Sequence, residues 1–415
     1  MSSSTYLLTG ASGFLCREIV QRIGQAEPEA RLYVLLRAPA GEVEARAAAL
    51  GLRRLAPRLI AVAGDLTVLR LGLSPRDQQR LGEEVTHVIH AGASVRFDLP
   101  LAQARRINVF GTAQLLDAAS RMKRLDRFVH VSTAYLAGRL RGTLLEAPVH
   151  PSSFRNSYEQ SKHEAEETLR ARMTTLPITI VRPSIIGPAL GREASAPFLS
   201  LLRLYVQRGW RWVPGSPSSL VDLVPVDLVA RALHGLATRR LAEGRWYHLA
   251  AGPRAATLGQ LGALAAQEFD CRRLTFLAPG LFRAAARALV HGRTRAALDH
   301  VAAYVPYLSV QTRIDTTDSR RVLRDLGVEL PYSADYFRCL LKEVRLRADR
   351  ESSAGDRGTR DAATPSSEPV PDALAASPPR SAALATAHGA RPSGVRLSEA
   401  RAASEHPPHA PENRS

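Results

Sequence analysis

Thr9-Gly10-Ala11-Ser12-Gly13-Phe14-Leu15-Cys16 joins a short apolar run, Ser4–Thr9, to an amphipathic one, Phe14–Gln25, whose Leu15, Ile19 and Ile23 recur at helical spacing. The reading is strand, glycine turn, helix. A G-x-x-G turn in that setting aims backbone N–H groups and a helix N-terminus at a pyrophosphate. Gly10 permits the tight turn and Gly13 the close approach of a ligand, with Ser12, Phe14 and Leu15 on the same turn as further candidate contacts. Cys16 occupies the place of a third glycine and is small enough for close helix packing. A nucleophile elbow needs a residue between its serine and the second glycine, and Ser12 is followed directly by Gly13.

Outward from this turn the rhythm repeats. Strands are expected at Arg31–Leu36, Leu59–Ala63, Val85–His90, Arg127–Val131, Ile178–Val181 and Trp246–Leu249. Helices are expected at Arg105–Met122, Tyr158–Met173 and Leu228–Ala237. Short apolar runs alternating with helical patterns define an α/β protein: a Rossmann-type, doubly wound parallel sheet with helices on both faces. Residues 1–254 form this dinucleotide-binding domain, interrupted by a Leu-, Trp- and Tyr-rich insertion at 188–222. Residues 255–349 form a smaller, mainly helical substrate-binding region. Beyond Arg350, Pro, Ser, Ala, Gly and charge predict a disordered tail, 350–415.

The strand ends specify the ligand further. About 20 residues beyond the glycine turn, an NAD-specific fold places an acid that binds the ribose 2′-hydroxyl. Arg37 stands there instead, and a guanidinium pairs with a 2′-phosphate, so NADP (NADPH) is the expected cofactor. Asp65-Leu66 closes the third strand, where the carboxylate either holds an adenine amino group or caps a turn. Ala91-Gly92-Ala93 closes the fourth, small enough for a ribose to lie against the backbone.

Lysine usage marks a second site. The chain has three lysines against 53 arginines, yet Lys162 follows Tyr158 by four residues. On a helix the two share a face. A cation beside a phenol lowers its pKa and suits it to general acid catalysis; a surface helix with an incidental Tyr and Lys is the alternative. Ser132-Thr133 ends the fifth strand, so its hydroxyls face the same crevice as the glycine turn.

Taken in order, Gly10–Gly13, Asp65-Leu66, Ala91-Gly92-Ala93, Asn108, Ser132-Thr133, Tyr158-x-x-x-Lys162 and Arg182-Pro183 resemble the extended short-chain dehydrogenase/reductase family over about residues 5–250. Within it, Thr-Gly-Ala-Ser-Gly-Phe-Leu, His-Val-Ser-Thr-Ala-Tyr, Ile-Asn108-Val-Phe-Gly-Thr and Leu223-Val-Pro-Val-Asp227 look most like the fatty acyl-CoA and thioester reductases of the male-sterility type. The resemblance implies that Tyr158 protonates the substrate oxygen as hydride arrives from the nicotinamide, and that Thr133 hydrogen-bonds that oxygen. It implies that Lys162 binds the nicotinamide ribose and lowers the tyrosine pKa, that Asn108 helps position Lys162, and that Pro183 and Ser184 line the cofactor. The expected activity is NADPH-dependent reduction of a fatty acyl thioester, CoA- or carrier-protein-bound, or of a derived aldehyde or ketone. Sugar-nucleotide or sterol dehydrogenases and epimerases of the same family are the alternative, and a non-catalytic NADP-binding regulator has no need of Thr133, Tyr158 and Lys162 together.

Composition sets the remaining bounds. The net charge is +17 and residues 350–415 are balanced, so the excess lies in the body and favours anionic ligands, although an arginine-heavy coding bias gives much of the same charge. No helix-turn-helix, zinc-finger or RNP-like signature accompanies it, so no nucleic-acid partner is expected. Cys16, Cys271 and Cys339 have no metal-ligand or disulfide spacing, His87 and His90 read as packing, and His406 and His409 lack partner acids, so no metal is expected. Few cysteines, no signal-peptide pattern and no apolar run of spanning length predict a cytoplasmic protein. The segment Gly280–Leu298 mixes Leu281, Phe282, Leu289 and Val290 with arginines. It reads as ordinary amphipathic packing, as a peripheral membrane contact, or as a surface for a CoA or carrier phosphate. Pro197–Tyr205 with Trp210 and Trp212 reads either as an acyl pocket or as a second small core.

Overall fold

The computed structural model describes residues 4–191, 212–239, 244–278, 280–282 and 302–358. Most of the 188–222 insertion, most of Gly280–Leu298, and residues 359–415 with their histidines lie outside the described residues.

Seven strands, β1 (Thr5–Thr9), β2 (Arg31–Leu36), β3 (Leu59–Ala63), β4 (His87–His90), β5 (Arg127–Val131), β6 (Ile178–Pro183) and β7 (Trp246–Leu249), form one sheet ordered β7-β6-β5-β4-β1-β2-β3. Every neighbouring pair is parallel. β1, β5 and β6 are buried along their whole length. Both faces of these strands are covered, so Thr9, Arg127, His130, Thr179 and Arg182 are buried along with their apolar neighbours. Tyr6 and Leu8 point into one core with Ile19, Val20 and Ile23 of α1 (Phe14–Ala26) and Val43 of α2 (Val43–Ala49). Leu7 points into the other with Leu81 of α3 (Pro75–Glu84), Leu115 of α4 (Gly111–Ala119) and Leu169 of α5 (Ser157–Arg170). Helix α6 (Val226–Thr238) packs on the first face through Val229, Leu233 and Leu236.

The expected doubly wound sheet is therefore present, with the chain reversing direction across the sheet between β1 and β4. Helices α2 and α3 are additions to the sequence reading. For α3 the signal was readable: Ser74 caps it, accepting from the Asp77 N–H at 3.1 Å, and Pro75 sits in the first turn. The helix expected from Arg105 begins earlier. It runs as Leu101–Arg105, then a π-helical turn at Arg106–Phe110, then α4.

The region after residue 254 is less purely helical than its composition suggests. Helix α7 (Leu258–Glu268) starts with a capping box of Thr257 and Gln260, followed by α8 (Thr317–Asp325) and α9 (Ser333–Gly358). Before and between these helices, short strands return to earlier parts of the chain. Ala256–Thr257 pairs with Leu220–Val221, Thr275–Leu277 with Trp212–Pro214, and Arg313–Ile314 with Thr143–Leu144. These pairings make residues 1–358 one compact unit, and α9 continues past Arg350 to Gly358.

One ion pair is sealed in the body. Arg182 of β6 is fully buried and bonds Glu166 of α5 through Nη2–Oε2 at 2.6 Å and Nε–Oε1 at 2.9 Å. Its Nη1 donates to the Ala147 carbonyl at 2.9 Å, and Trp246 Nε1 donates to Glu166 at 3.2 Å. Removing one partner strands the other charge. Arg182→Met is expected to lower the unfolding free energy by about 3–5 kcal/mol in urea titration, with Arg182→Met/Glu166→Met recovering part of it. A double variant weaker than the single one would contradict this account.

Candidate active site

The carboxyl ends of β1, β4 and β5 meet at one crevice. Gly10, just after β1, has φ +85°, and a Cβ there would lie 2.7 Å from the Ala91 carbonyl carbon and 2.8 Å from the Gly92 nitrogen. The glycine turn and the end of β4 thus touch backbone to backbone. Gly13 is the N-cap of α1 and supplies no side-chain cap, so the first N–H groups of the helix stay available, and Ser12, Gly13 and Phe14 are exposed around them. This cradle fits the pyrophosphate of a dinucleotide, which needs close backbone approach and free donors. Leu15 is half-buried, while Cys16 faces the core with its thiol pushed up to about 12 by burial.

Arg37 stands exposed immediately after β2. Asp65 takes the capping alternative: its Oδ1 accepts from the Thr67 N–H and hydroxyl, both at 2.8 Å. Leu66 fills the space that side chains at Gly92 and Gly111 would need. Ala91 and Ala93 flank the buried Gly92. Pro183 ends β6 opposite Leu249, and Ser184, buried, donates its N–H to the Leu249 carbonyl at 3.0 Å.

Under the crevice runs a hydrogen-bond chain whose directions are fixed by its ends. Gly92 N–H donates to Thr9 Oγ1 at 3.0 Å, and Thr9 Oγ1 meets His90 Nδ1 at 2.7 Å. On the far side His90 Nε2 meets Thr112 Oγ1 at 3.0 Å, and Thr112 donates to the Asn108 carbonyl at 2.6 Å. Thr112 therefore accepts from Nε2–H, and Nδ1 accepts from Thr9: His90 is neutral. Burial, then the charge of Lys162, push its pKa down to about 3.

Asn108 sits buried in the π-helical turn, a feature frequent at functional sites. Its Nδ2 donates to Ser161 Oγ at 2.9 Å and to the Ser94 carbonyl at 3.1 Å, and its Oδ1 accepts from the Ser94 N–H at 2.8 Å. It ties α5 to the loop after β4 through Ser161, the residue before the lysine, rather than by a bond to Lys162 itself.

Helix α5 carries the remaining residues. Asn156 caps it, accepting from the Glu159 N–H at 3.0 Å, a start legible in the sequence. Tyr158 lies one turn before Lys162. Thr133, at the end of β5, accepts from the Tyr135 N–H at 3.2 Å, and its hydroxyl lies close enough to the Tyr158 phenol to influence its proton. Lys162 is almost fully buried and donates to the Val131 carbonyl at 2.8 Å and to His130 Nε2 at 3.1 Å. The expected lowering of the tyrosine pKa by Lys162 is corrected here. Burial dominates and raises Tyr158 to about 12, with the Thr133 hydrogen bond opposing it. Burial also lowers Lys162 to about 8, opposed by Glu166 one turn further on. Tyr158 thus holds its proton throughout the neutral range, while Lys162 is a cation below about 8.

The sequence reading missed the wall around Tyr158. Phe97 packs on it with ring centroids 5.4 Å apart. Tyr307 packs on Phe97 and edge-on to Tyr135, each at 5.0 Å, and its hydroxyl accepts from Asn156 Nδ2 at 2.8 Å. Tyr307 lies in a 3₁₀-helical stretch, Ala302–Ser309, and no local pattern marked it. A cleft lined by Tyr135, Arg155, Asp222, Gly252, Val310 and Ile314 opens beside this cluster.

A nicotinamide-dinucleotide cradle facing a Thr–Tyr–Lys set defines the class of extended short-chain dehydrogenase/reductase folds. The family model described as male sterility protein matches residues 8–233, more than half of the chain, and the chain belongs to that family. Fatty acyl-CoA reductase 1 of Xenopus laevis is 30% identical over 269 residues, 54% of this chain and 52% of its own length. Fatty acyl-CoA reductase 1 of Homo sapiens gives the same figures. The chain thus spans about half the length of these curated relatives. Among solved structures, the terminal R domain from the myxalamid PKS-NRPS biosynthetic pathway is 28% identical with a TM-score of 0.72, covering 84% of this chain and 92% of that domain.

The Gly10 contact is the part most sensitive to a single atom. Gly10→Ala is expected to lower stability by about 1–3 kcal/mol through its positive φ and the clash with Ala91. It should also weaken nicotinamide-dinucleotide binding, read by fluorescence titration, at least about tenfold. Unchanged binding would remove the turn from the site.

Proposed function

We propose that the protein is an NADPH-dependent reductase of a fatty acyl thioester, CoA- or carrier-bound, or of the aldehyde or ketone derived from it. The observation that carries this is the convergence of Thr133, Tyr158 and Lys162 beside the Gly10–Gly13 cradle, under the aromatic wall of Phe97, Tyr135 and Tyr307. The kinship with fatty acyl-CoA reductases supports the substrate class.

The residues divide the work as follows. Gly10 and Gly13, with the first turn of α1, hold the cofactor pyrophosphate. Arg37, exposed at the end of β2 where an NAD-binding fold carries an acid, holds a 2′-phosphate. Lys162 holds the nicotinamide ribose. Bound nicotinamide supplies the hydride. Thr133 and Tyr158 bind the carbonyl oxygen, and Tyr158 gives it a proton as negative charge develops there. A phenol raised to about 12 suits this task, because it stays protonated until the oxygen becomes strongly basic. Asn108 fixes α5 to the loop after β4, so that Tyr158 and the cradle keep their spacing. The aromatic wall excludes water and offers an apolar rather than a sugar-binding surface.

Two measurements test the reading. Tyr158→Phe should cut NADPH oxidation with acyl-CoA by about 10²–10⁴-fold while cofactor binding persists. Undiminished turnover would end the assignment, and activity confined to sterols or nucleotide sugars in a substrate panel would redirect it. Arg37→Asp should weaken NADP binding by about tenfold or more and NAD binding far less, since only the former offers a phosphate to the guanidinium. Equal losses would leave Arg37 without this role.

A further inference from the structure

His130 lies in the middle of β5, inside the run Arg127-Phe-Val-His-Val131, and is 1% exposed. An imidazole in such a place ordinarily finds partners for both nitrogens. This one does not: Nε2 meets Lys162 Nζ at 3.1 Å, while Nδ1 has no hydrogen-bond partner among the described residues. The lysine settles the tautomer. An ammonium only donates, so Nε2 presents its lone pair and Nδ1 carries the proton into the core. A buried, unpaired N–H is a standing penalty that an apolar residue at this position would avoid. The compensating interaction is the one made by Nε2.

Lys162 is surrounded from three elements, β5, β4 and its own helix α5. His130 and the Val131 carbonyl face it from β5, and His90 of β4 lies behind, its ring 5.0 Å from that of His130. Along α5 stand Tyr158 one turn before and Glu166 one turn after, the latter already bound to Arg182 of β6 and Trp246 of β7. Of the ammonium's three donors, Val131 takes one and His130 a second. One remains for a ligand.

We infer that His130 is a positioning residue, a neutral acceptor that keeps Lys162 charged in a buried place and fixes the direction of its one remaining donor. Protonation of His130 is opposed by burial, by Lys162 and by His90, so the acceptor persists across the working pH range. The assignment rests on the reading of Lys162 as the cation that faces the cofactor, but its test needs no turnover.

The chain's three lysines make that test direct. Full-length protein labelled with ¹³Cε-lysine gives signals from Lys123, Lys162 and Lys342, with Lys162 identified by its loss in Lys162→Met. Its titration is compared in the parent, His130→Leu and His130→Gln, with His130→Phe replacing the leucine variant should that one fail to fold. The apolar variant should lower the Lys162 midpoint by about one pH unit, the worth of one hydrogen bond to a charged group, and glutamine, which restores an acceptor, should recover at least half of that shift. NADPH affinity at pH 8 should follow the same order. A midpoint unmoved by leucine or phenylalanine, or a glutamine variant no better than the apolar one, overturns the inference. A shift as expected in a protein that reduces no acyl thioester would retain it and remove only the substrate reading.

Discussion

The backbone contact between Gly10 and Ala91-Gly92 is the constraint on which the rest of the structure depends. With no Cβ at Gly10 and none at Gly92, the turn after β1 lies directly on the loop after β4. That closeness brings α1's free N–H groups and the end of β5 that carries Thr133 into one crevice at the point where strand order reverses. The contact is held from below by polar groups. Thr9, the last residue of β1, accepts from Gly92 and donates to His90, and through Thr112 the chain reaches Asn108. A rigid network of this kind, satisfied at each link, specifies spacing in a way that apolar packing alone does not.

The same network explains how α5 is placed. Asn108 grips Ser94 after β4 and Ser161 on α5, and Ser157 at the helix start donates to the Leu99 carbonyl at 2.7 Å. Tyr158 therefore cannot drift from the end of β4 without breaking these bonds. From the other side Tyr307 binds the Asn156 cap and packs against Phe97 and Tyr135, so a late segment of the chain completes the wall of an early site.

Much of this was legible in the sequence because its causes are local. Four of the seven strands match their expected bounds residue for residue, because each is a short, mostly apolar run between polar or turn-forming segments. The glycine turn was legible because no other residue type satisfies φ +85° against a neighbouring backbone. What escaped was non-local. Tyr307 reaches Asn156 across 151 residues, and nothing in its neighbourhood reports that meeting. The small strands that tie residues 256–314 to earlier segments are two or three residues long, too short to carry a period. That Asp65 caps a turn is visible only from the position of Thr67. The raised Tyr158 pKa is not readable from spacing, because helical spacing gives the neighbour but not the environment of the phenol.

That environment bears on why position 162 is a lysine in a chain otherwise given over to arginine. If the cation served only to lower the phenol, either base would do, and arginine would hold its charge more firmly. The structure gives the residue a narrower task. It must enter a closed space beneath β5, donate to one carbonyl and one imidazole at right distances, and still keep a donor for a ligand. An ammonium meets this with three donors on a single atom, whereas a planar guanidinium spreads five over a fork that the space between Val131 and His130 does not match. A buried lysine loses part of its hold on the proton, as its pKa near 8 reflects. The Val131 carbonyl and His130 Nε2 are the acceptors that face its ammonium in that closed space.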